Sequence, residues 1–197
     1  MIRLGLTGSI GMGKSTAARM FERAGVPVFD ADAEVRRLQG PGGALVEAIE
    51  RRFPGSIRDG AVDREALSEL VLGKPGELAA LEAIVHPAVS SARERFLAEH
   101  AGAAAVLFEI PLLLETGGER KVDQVIVVSA PPEVQRQRVL SRPGMTAKKL
   151  EAILARQMPD EEKRKRANFV IDSSGPLAAT ERQVAQILAC LGLAAGE

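Results

Sequence analysis

The stretch from Gly8 to Ser15 carries the spacing Gly-x4-Gly-Lys-Ser, which is typical of loops that bind phosphate groups. Glycines let such a backbone wrap around an anion at positive φ, and the N–H groups that open the next helix point at phosphate oxygens. Lys14 would reach the β- and γ-phosphates of a nucleotide, and the Ser15 hydroxyl would hold Mg²⁺. The predicted phosphate-binding residues are Gly8, Gly11, Met12, Gly13, Lys14, Ser15 and Thr16.

Two carboxylates, Asp30 and Asp32, follow a second apolar run. Ligands of α/β sheets bind beyond the carboxyl ends of the strands, so a carboxylate there can accept the proton of an attacking hydroxyl group. An aspartate in this position can also cap the helix that follows. We predict that Asp32 is catalytic and that Asp30 is the cap, and an exchange of the two roles stays open.

Glu109 ends a third apolar run, and an acid at such a strand end can help to hold Mg²⁺ through water. We therefore predict that Ser15 and Glu109 form the metal site. The alternative is that Glu109 only caps a loop.

Arginines lie ahead of the turn Pro143-Gly144. A guanidinium group suits phosphate oxygens, and on a mobile cover it would stabilise transferred charge and exclude water. Arg138 and Arg142 are the candidates, with 142–166 as the lid, whereas Arg136 fits a solvated helix face equally well.

Short apolar runs alternate with helical patterns along the chain, which predicts an α/β fold with a doubly wound, mostly parallel five-stranded sheet. The predicted strands are Leu4–Thr7, Val26–Phe29, Val106–Phe108, Val125–Val128 and Phe169–Ile171. The predicted helices between them are Ser15–Ala24, Ala33–Leu38, Pro132–Leu140, Ala147–Gln157 and Leu177–Leu191.

The interval 43–100 departs from this alternation because its pattern is almost wholly helical. Breaks are expected at Pro54-Gly55, at 73–76 and at His86-Pro87. We interpret the interval as a substrate-binding insertion in a single domain spanning 1–197.

Composition restricts the classes of partner. The net charge is zero and no apolar run approaches the ~20 residues of a membrane span, which argues against nucleic acid and membrane as partners. Trp and Tyr are absent, which further disfavours a single-strand binder. Cys190 is the sole cysteine, which fits a cytoplasmic protein, and its apolar context predicts a core position. The basic run 163–166 is expected to be a solvated helix face.

Taken together, these residues resemble the dephospho-coenzyme A kinase family over about Ile2 to Gly175. The matching elements are Thr7-Gly-Ser-Ile-Gly-Met-Gly-Lys-Ser15, Asp30-Ala-Asp32 with Arg36, His86-Pro87, Pro111-Leu-Leu-Leu-Glu115, Arg138-x3-Arg142, Gln157 and Arg166-Ala-Asn-Phe-Val-Ile-Asp172. Two positions depart from the family, since Asn168 replaces a usual Asp and Ser173 replaces a common Asn near the adenine.

The resemblance implies ATP-dependent phosphorylation of the ribose 3′-hydroxyl of dephospho-coenzyme A, with Mg²⁺. It implies that Asp32 acts on the acceptor hydroxyl and that Arg142 contacts phosphate. It also implies a core, a helical substrate domain and a lid. The residues that it assigns to substrate binding are Asp32, Arg36, His86, Pro111 and Leu112, and those for ATP include Arg138 and Arg142.

Two other classes of protein have the same phosphate-binding loop and are alternatives to this family. Another small-molecule kinase, of the nucleoside, nucleotide or shikimate type, would lack the combination of Asp-Ala-Asp with His-Pro. A nucleotide switch of the GTPase type would need Asn-Lys-x-Asp, which the sequence does not contain. The oligomeric state cannot be predicted from these patterns.

Overall fold

A computed structural model describes residues 1–193 of the chain. Its strands are β1 (Ile2–Thr7), β2 (Val28–Asp30), β3 (Ile57–Arg58), β4 (Ala61–Val62), β5 (Ala105–Glu109), β6 (Gln124–Ser129) and β7 (Phe169–Asp172). Its α-helices are α1 (Lys14–Arg23), α2 (Ala31–Gln39), α3 (Val46–Arg52), α4 (Arg64–Val71), α5 (Pro75–Glu99), α6 (Pro132–Leu140), α7 (Ala147–Leu154), α8 (Asp160–Lys165) and α9 (Leu177–Cys190). A short 3₁₀ helix spans Gly118–Lys121.

Five strands form one sheet in the order β2-β5-β1-β6-β7, so β1 lies between β5 and β6. The pairings of β1 with both neighbours and of β6 with β7 are parallel. Leu6 is in register with Glu109, and Thr7 with Val127. The loop after β1 and the side chain of Glu109 therefore lie at the same, carboxyl edge of the sheet.

Both faces of the sheet are covered, as parallel strands require. On one face, α1 and α9 contribute Phe21, Val184 and Ile187 to a buried cluster with Leu4 and Leu107. A second cluster contains Leu113, Leu114, Val125 and Val127. The predicted α/β fold with a five-stranded sheet is confirmed, and each predicted strand is present with ends shifted by one or two residues.

The chain divides into two compact units, one formed by Met1–Phe29 with His100–Glu197, and the other by Asp30–Glu99. The second unit has its own core, in which α3, α4 and α5 enclose buried side chains such as Ile49, Phe53 and Leu67. It begins at Asp30, ahead of the insertion that the helical pattern placed at 43–100.

The second unit also contains a two-stranded antiparallel hairpin, β3–β4, inside the interval predicted as almost wholly helical. Its turn is Asp59-Gly60, and both residues have positive φ, 51° and 75°. An Asp-Gly pair is a strong hairpin signal, so the hairpin could have been predicted from the sequence.

Helix α5 continues through Pro87, so the predicted break at His86-Pro87 is wrong. A proline inside a helix removes one backbone hydrogen bond and crowds the preceding turn. The flanking side chains Ile84, Val85, Ala88 and Val89 pack against the core of the second unit. This packing compensates for the loss at Pro87.

Two predictions about single side chains are wrong. Cys190 is exposed at the end of α9 rather than buried in the core. Lys163, predicted to lie on a solvated helix face, is fully buried. Among the helices of residues 1–193, none is long and apolar enough to cross a membrane. The last four residues of the predicted domain 1–197 lie outside the described residues.

Candidate active site

The loop after β1 has the backbone shape that its glycines predict. Gly8, Gly11 and Gly13 have φ values of 151°, 78° and 87°, a region that other residues rarely adopt. Space is equally restrictive, because a Cβ atom on Gly8 would collide with the carbonyl oxygen of Val128. A Cβ atom on Gly11 would lie 2.5 Å from Cγ2 of Val139, so this loop admits no larger residue at either position.

Lys14 and Ser15 open α1, where the helix dipole favours anions. The ammonium group of Lys14 donates to the carbonyl oxygen of Gly8 at 2.8 Å, which folds the side chain back over the loop. Thr16 lies in the first turn of α1, with its N–H bonded to Gly13. The loop and the helix start thus gather one cation and several N–H groups around a small concave backbone.

Ser15 and Glu109, the predicted metal ligands, are in direct contact. The Ser15 hydroxyl donates to Oε1 of Glu109 at 2.8 Å, and the Glu109 side chain is buried. A hydroxyl and a carboxylate supply the oxygen donors that Mg²⁺ prefers, so this pair fits the ion. Within residues 1–193 no group of three or more His, Cys, Asp or Glu side chains is placed to hold a metal. A bound Mg²⁺ would therefore complete its shell with water and nucleotide phosphate, which is usual for this ion.

Tertiary hydrogen bonds hold the middle of the loop at Met12. Its carbonyl oxygen accepts from the hydroxyl of Ser173 at 2.8 Å, and its sulfur accepts from the N–H of Ala130 at 3.1 Å. Arg138 donates to both Oγ and the carbonyl oxygen of Ser173, at 3.0 and 2.6 Å. Ser173, which departs from the family pattern, therefore links Arg138 to the phosphate loop, and a contact of Arg138 with ATP stays a prediction.

Two glutamines hold the tip of the loop at Ile10. The Ile10 N–H donates to Oε1 of Gln157 at 3.1 Å, and the Ile10 carbonyl accepts from Nε2 of Gln135 at 2.7 Å. Gln157 was recognised only as part of the family pattern, and Gln135 was not recognised at all. Helix α6 contains a second glutamine, Gln137, and nothing in the sequence distinguishes Gln135 from it.

The segment 142–166 has two distinct halves. Arg142 is exposed, and α7 follows after the turn at Gly144. Near α8 the segment is bonded to the first unit, since Oδ2 of Asp160 accepts from the Ser129 hydroxyl at 2.6 Å. The N–H of Met158 donates to Oε1 of Glu115 at 2.9 Å. Motion of a lid over 142–166 stays a prediction.

Glu115 also forms a buried ion pair, with Nζ of Lys163 2.7 Å from its Oε1. Burial disfavours the charged carboxyl, but the Lys163 ammonium and the Met158 N–H outweigh it and lower the pKa of Glu115. The fully buried lysine is paired with this carboxylate, which lets α8 place Lys163 in the interior although its sequence is made only of charged residues. That composition has no apolar face, so no sequence signal predicted the burial.

Asp30 and Asp32 lie in the second unit, at the start of α2. Oδ1 of Asp30 accepts from the N–H of Ala33 at 2.8 Å, so Asp30 is the helix cap that was predicted. Its other oxygen lies 3.5 Å from the guanidinium group of Arg36. Asp32 is exposed in the first turn of the same helix, and His86 is exposed on α5. The catalytic role of Asp32 and the substrate contacts of Arg36 and His86 stay predictions.

Pro111 and Leu112 follow β5 in the first unit. The carbonyl oxygen of Pro111 accepts from the buried hydroxyl of Thr7 at 3.1 Å, which ties this turn to the end of β1. Leu112 is 41% exposed. Their role in substrate binding stays a prediction.

Asn168, one of the two departures from the family pattern, forms two hydrogen bonds with the backbone of Val125. Its side-chain oxygen accepts from the N–H of Val125 at 2.8 Å, and its own N–H donates to the Val125 carbonyl. Both residues are at the amino end of their strands, at the edge of the sheet opposite the phosphate loop. The amide oxygen of Asn168 therefore supports the sheet, a task that a carboxylate oxygen would perform equally well.

Comparison with known proteins identifies the family. A family model described as dephospho-CoA kinase matches residues 2–179. The chain belongs to the dephospho-CoA kinase family. The dephospho-CoA kinase of Novosphingobium aromaticivorans is 57% identical over 185 residues, 94% of this chain and 92% of that protein. The dephospho-CoA kinase of Brucella melitensis is 55% identical over 190 residues, 95% of this chain and 94% of that protein.

A solved structure shares the fold. The crystal structure of TT1252 from Thermus thermophilus has a TM-score of 0.82 and 41% identity, covering 96% of this chain and 97% of that one. The predicted membership of the dephospho-CoA kinase family, and with it a kinase rather than a nucleotide switch, is confirmed.

Proposed function

We propose that this kinase transfers the γ-phosphoryl group of ATP to the ribose 3′-hydroxyl of dephospho-coenzyme A, giving coenzyme A and ADP in the last step of coenzyme A biosynthesis. Family membership supports ATP and dephospho-coenzyme A as the substrates. The observation that carries the phosphoryl chemistry is the contact of Ser15 with Glu109 beside Lys14, because it combines oxygen donors for a metal with a cation for phosphate.

Three side chains act on the reacting groups in this proposal. The 3′-hydroxyl oxygen forms a bond to the γ-phosphorus, the bond to the β–γ bridging oxygen breaks, and the hydroxyl proton passes to Asp32. Lys14 and Arg142 stabilise the charge on the transferred group and on the leaving ADP. The cap formed by Asp30 supports this division, because Asp30 already accepts a helix N–H while Asp32 is exposed.

Mg²⁺ is the proposed cofactor, held by the Ser15 hydroxyl and by Glu109, directly or through water. When bound, Mg²⁺ neutralises negative charge on the β- and γ-phosphates. Glu109 is buried, and its carboxylate accepts from the Ser15 hydroxyl at the loop.

For the acceptor we propose contacts with Arg36, His86, Pro111 and Leu112, together with Asp32. The phosphates of dephospho-coenzyme A are anionic, which suits Arg36, and its pantetheine arm can cover exposed apolar surface such as Leu112. The second unit has a long apolar core of its own, which gives the acceptor a rigid support. The single cysteine, exposed at position 190, fits a cytoplasmic enzyme.

The test of the acceptor is an ADP-release assay that compares dephospho-coenzyme A with adenosine, AMP and shikimate. Contacts to the arm help to align the 3′-hydroxyl, so truncated acceptors should lose kcat as well as affinity. Equal kcat/KM for adenosine and dephospho-coenzyme A would refute the proposed acceptor.

The test of the proton acceptor pairs Asp32→Asn with Asp30→Asn. Removal of a general base lowers kcat by about 10²–10⁴. Asp32→Asn should show this loss with an unchanged ATP affinity, whereas Asp30→Asn should keep kcat near wild type, because asparagine caps a helix about as well as aspartate. The opposite ranking of kcat would assign the base to Asp30.

A further inference from the structure

The tip of the phosphate loop is held by side chains from outside the loop. Ile10 has both of its backbone polar groups bonded to glutamine amides, its N–H to Gln157 and its carbonyl to Gln135. We propose that Gln135 and Gln157 are positioning residues, which act through Ile10 to fix the loop in the shape that receives ATP phosphates. This inference rests on the proposed role of the loop in phosphate binding.

Gly8 and Gly11 pack closely against Val128 and Val139, but the loop borders open space on the side of the two glutamines. A cavity of about 270 Å³ adjoins the loop, lined by Ser9, Met12, Gln135, Gln157 and Met158 among others. Gln135 and Gln157 line that space, and it is from there that their side chains reach Ile10. The two amide contacts are directional, so they select one orientation of the Ile10 peptide groups where the shape of the cavity would allow others.

Each glutamine is itself held firmly. Gln135 is buried on α6, the helix against which Gly11 packs so closely that a Cβ atom would meet Val139. Gln157 has its own N–H bonded to the carbonyl of Leu154, and the next N–H, that of Met158, is bonded to Glu115. The ion pair of Glu115 with Lys163 therefore fixes the backbone that presents Gln157 to the loop.

The side-chain amides of Gln135 and Gln157 bind Ile10 through different atoms. Gln157 accepts through its oxygen, and Gln135 donates through its nitrogen. A carboxylate can accept but cannot donate, so Gln→Glu should have opposite consequences at the two positions. At Gln157 it keeps the bond to the Ile10 N–H. At Gln135 it places a negative oxygen against the Ile10 carbonyl, and the damage should grow with pH as the new carboxyl ionises.

The experiment uses the full-length enzyme with Gln135→Met, Gln157→Met and the two Gln→Glu variants. Each Met variant should raise the KM for ATP about 3–10-fold, the range of one hydrogen bond, with the KM for dephospho-coenzyme A unchanged. Isotope-labelled protein gives a second readout, because the Ile10 amide resonance should move upfield in Gln157→Met and stay downfield in Gln157→Glu.

Two controls separate positioning from general stability. Gln137→Met alters an exposed glutamine on the same helix α6 and should change neither KM nor the Ile10 resonance. Asn168→Ala removes the bond to Val125 at the far edge of the sheet, so it should lower the melting temperature without raising the KM for ATP.

An unchanged KM for ATP in either Met variant would overturn the proposal. So would a rise in KM for Asn168→Ala as large as that for Gln157→Met. Failure of the proposed function is distinguishable from both results, because full activity of Lys14→Ala would remove the phosphate role of the loop while leaving the Ile10 resonance dependent on Gln157.

Discussion

The phosphate loop at 8–15 and the segment 142–166 are both predicted to contact ATP, yet the structure holds them differently. The loop is short, and hydrogen bonds from α6, from the region before α8 and from the residues after β6 and β7 reach it at Ile10 and Met12. In the segment 142–166, Arg142 and the turn at Gly144 are exposed, whereas the part from Gln157 onward is hydrogen-bonded to Ile10, Glu115 and Ser129.

This difference indicates that the phosphate loop is preorganised, whereas part of the segment 142–166 is suited to motion. Groups that stabilise charge in every turnover gain from being fixed before the substrate arrives, because no reorganisation is then needed. A cover must open for exchange of nucleotide, so its exposed part suits motion while its anchored part gives a fixed pivot. We expect closure to involve 142–156 and to leave 157–166 in place.

The largest expected effect is a loss of kcat on substitution of Lys14 in the phosphate loop. Lys14→Ala should lower kcat by about 10³ or more, because removal of one preorganised charge contact costs several kcal/mol of transition-state stabilisation. Steady-state kinetics with ATP and dephospho-coenzyme A measures the loss. Lys148→Ala, which alters an exposed lysine on α7, is the control and should be near wild type. A folded Lys14→Ala enzyme with normal turnover would contradict the assignment of the loop.

Loss of the Glu115–Lys163 ion pair should lower the free energy of unfolding more than it lowers kcat. Lys163→Met leaves the Glu115 carboxylate buried without its partner, and removal of one member of a buried pair costs about 3–5 kcal/mol. Urea unfolding measures the change. The double variant with Glu115→Gln should regain part of the loss, because it removes the unpaired charge. Equal stability of the single and double variants would show that the pair does not couple.

Removal of the exposed arginine should have a smaller effect. Arg142→Ala should lower kcat about 10–100-fold, in line with about 1.5–3 kcal/mol for a hydrogen bond to a charged group. The melting temperature should not change, because the side chain is exposed. Arg136→Ala on α6, also exposed, is the matched control for loss of a positive charge. The same reduction of kcat in both variants would show that Arg142 acts only through its charge and makes no specific contact with phosphate.

The smallest expected effect is on the dependence of stability on pH. The pKa of Glu115 is lowered in the folded chain, so the folded state binds this proton less readily than the unfolded state. The carboxylate therefore stabilises the fold above about pH 4.3, the ordinary glutamate value, and this contribution is lost as the pH falls through the lowered pKa. As the pH is lowered from 6 to 3, the urea midpoint of unfolding should fall less steeply for Glu115→Gln than for the wild type. An unchanged slope would contradict the lowered pKa.

Much of the fold was predictable because its signals are local. The apolar runs at Leu4–Thr7 and Val125–Val128 are strands of a parallel sheet, and the alternation of strands with helices specifies the fold class. Errors arose where two local signals competed. Pro87 signalled a break that the packing of its neighbours overrides, and Asp59-Gly60 signalled a hairpin that the surrounding helical pattern obscured.

The candidate site divides in the same way. The sequence predicted Lys14, Ser15 and Glu109 as site residues from their spacing after one strand and at the end of another, and the parallel register brings Ser15 and Glu109 into contact. Their roles stay predictions. It did not identify Gln135, because a single amide on a polar helix has no periodic signature. The burial of Lys163 and the exposure of Cys190 were also missed, since each depends on neighbours distant in sequence.

The sequence by itself determined the backbone shape of the phosphate loop, the cap at Asp30, the order of strands and helices, and the family. These features follow from glycine conformations, helix-start chemistry and hydrophobic periodicity, all of which act within a few residues. Only the tertiary structure decided which side chains hold the loop and which part of 142–166 is anchored. Those contacts join Ile10 to Gln135 and Gln157, more than a hundred residues away, and form only when the sheet order brings the segments together.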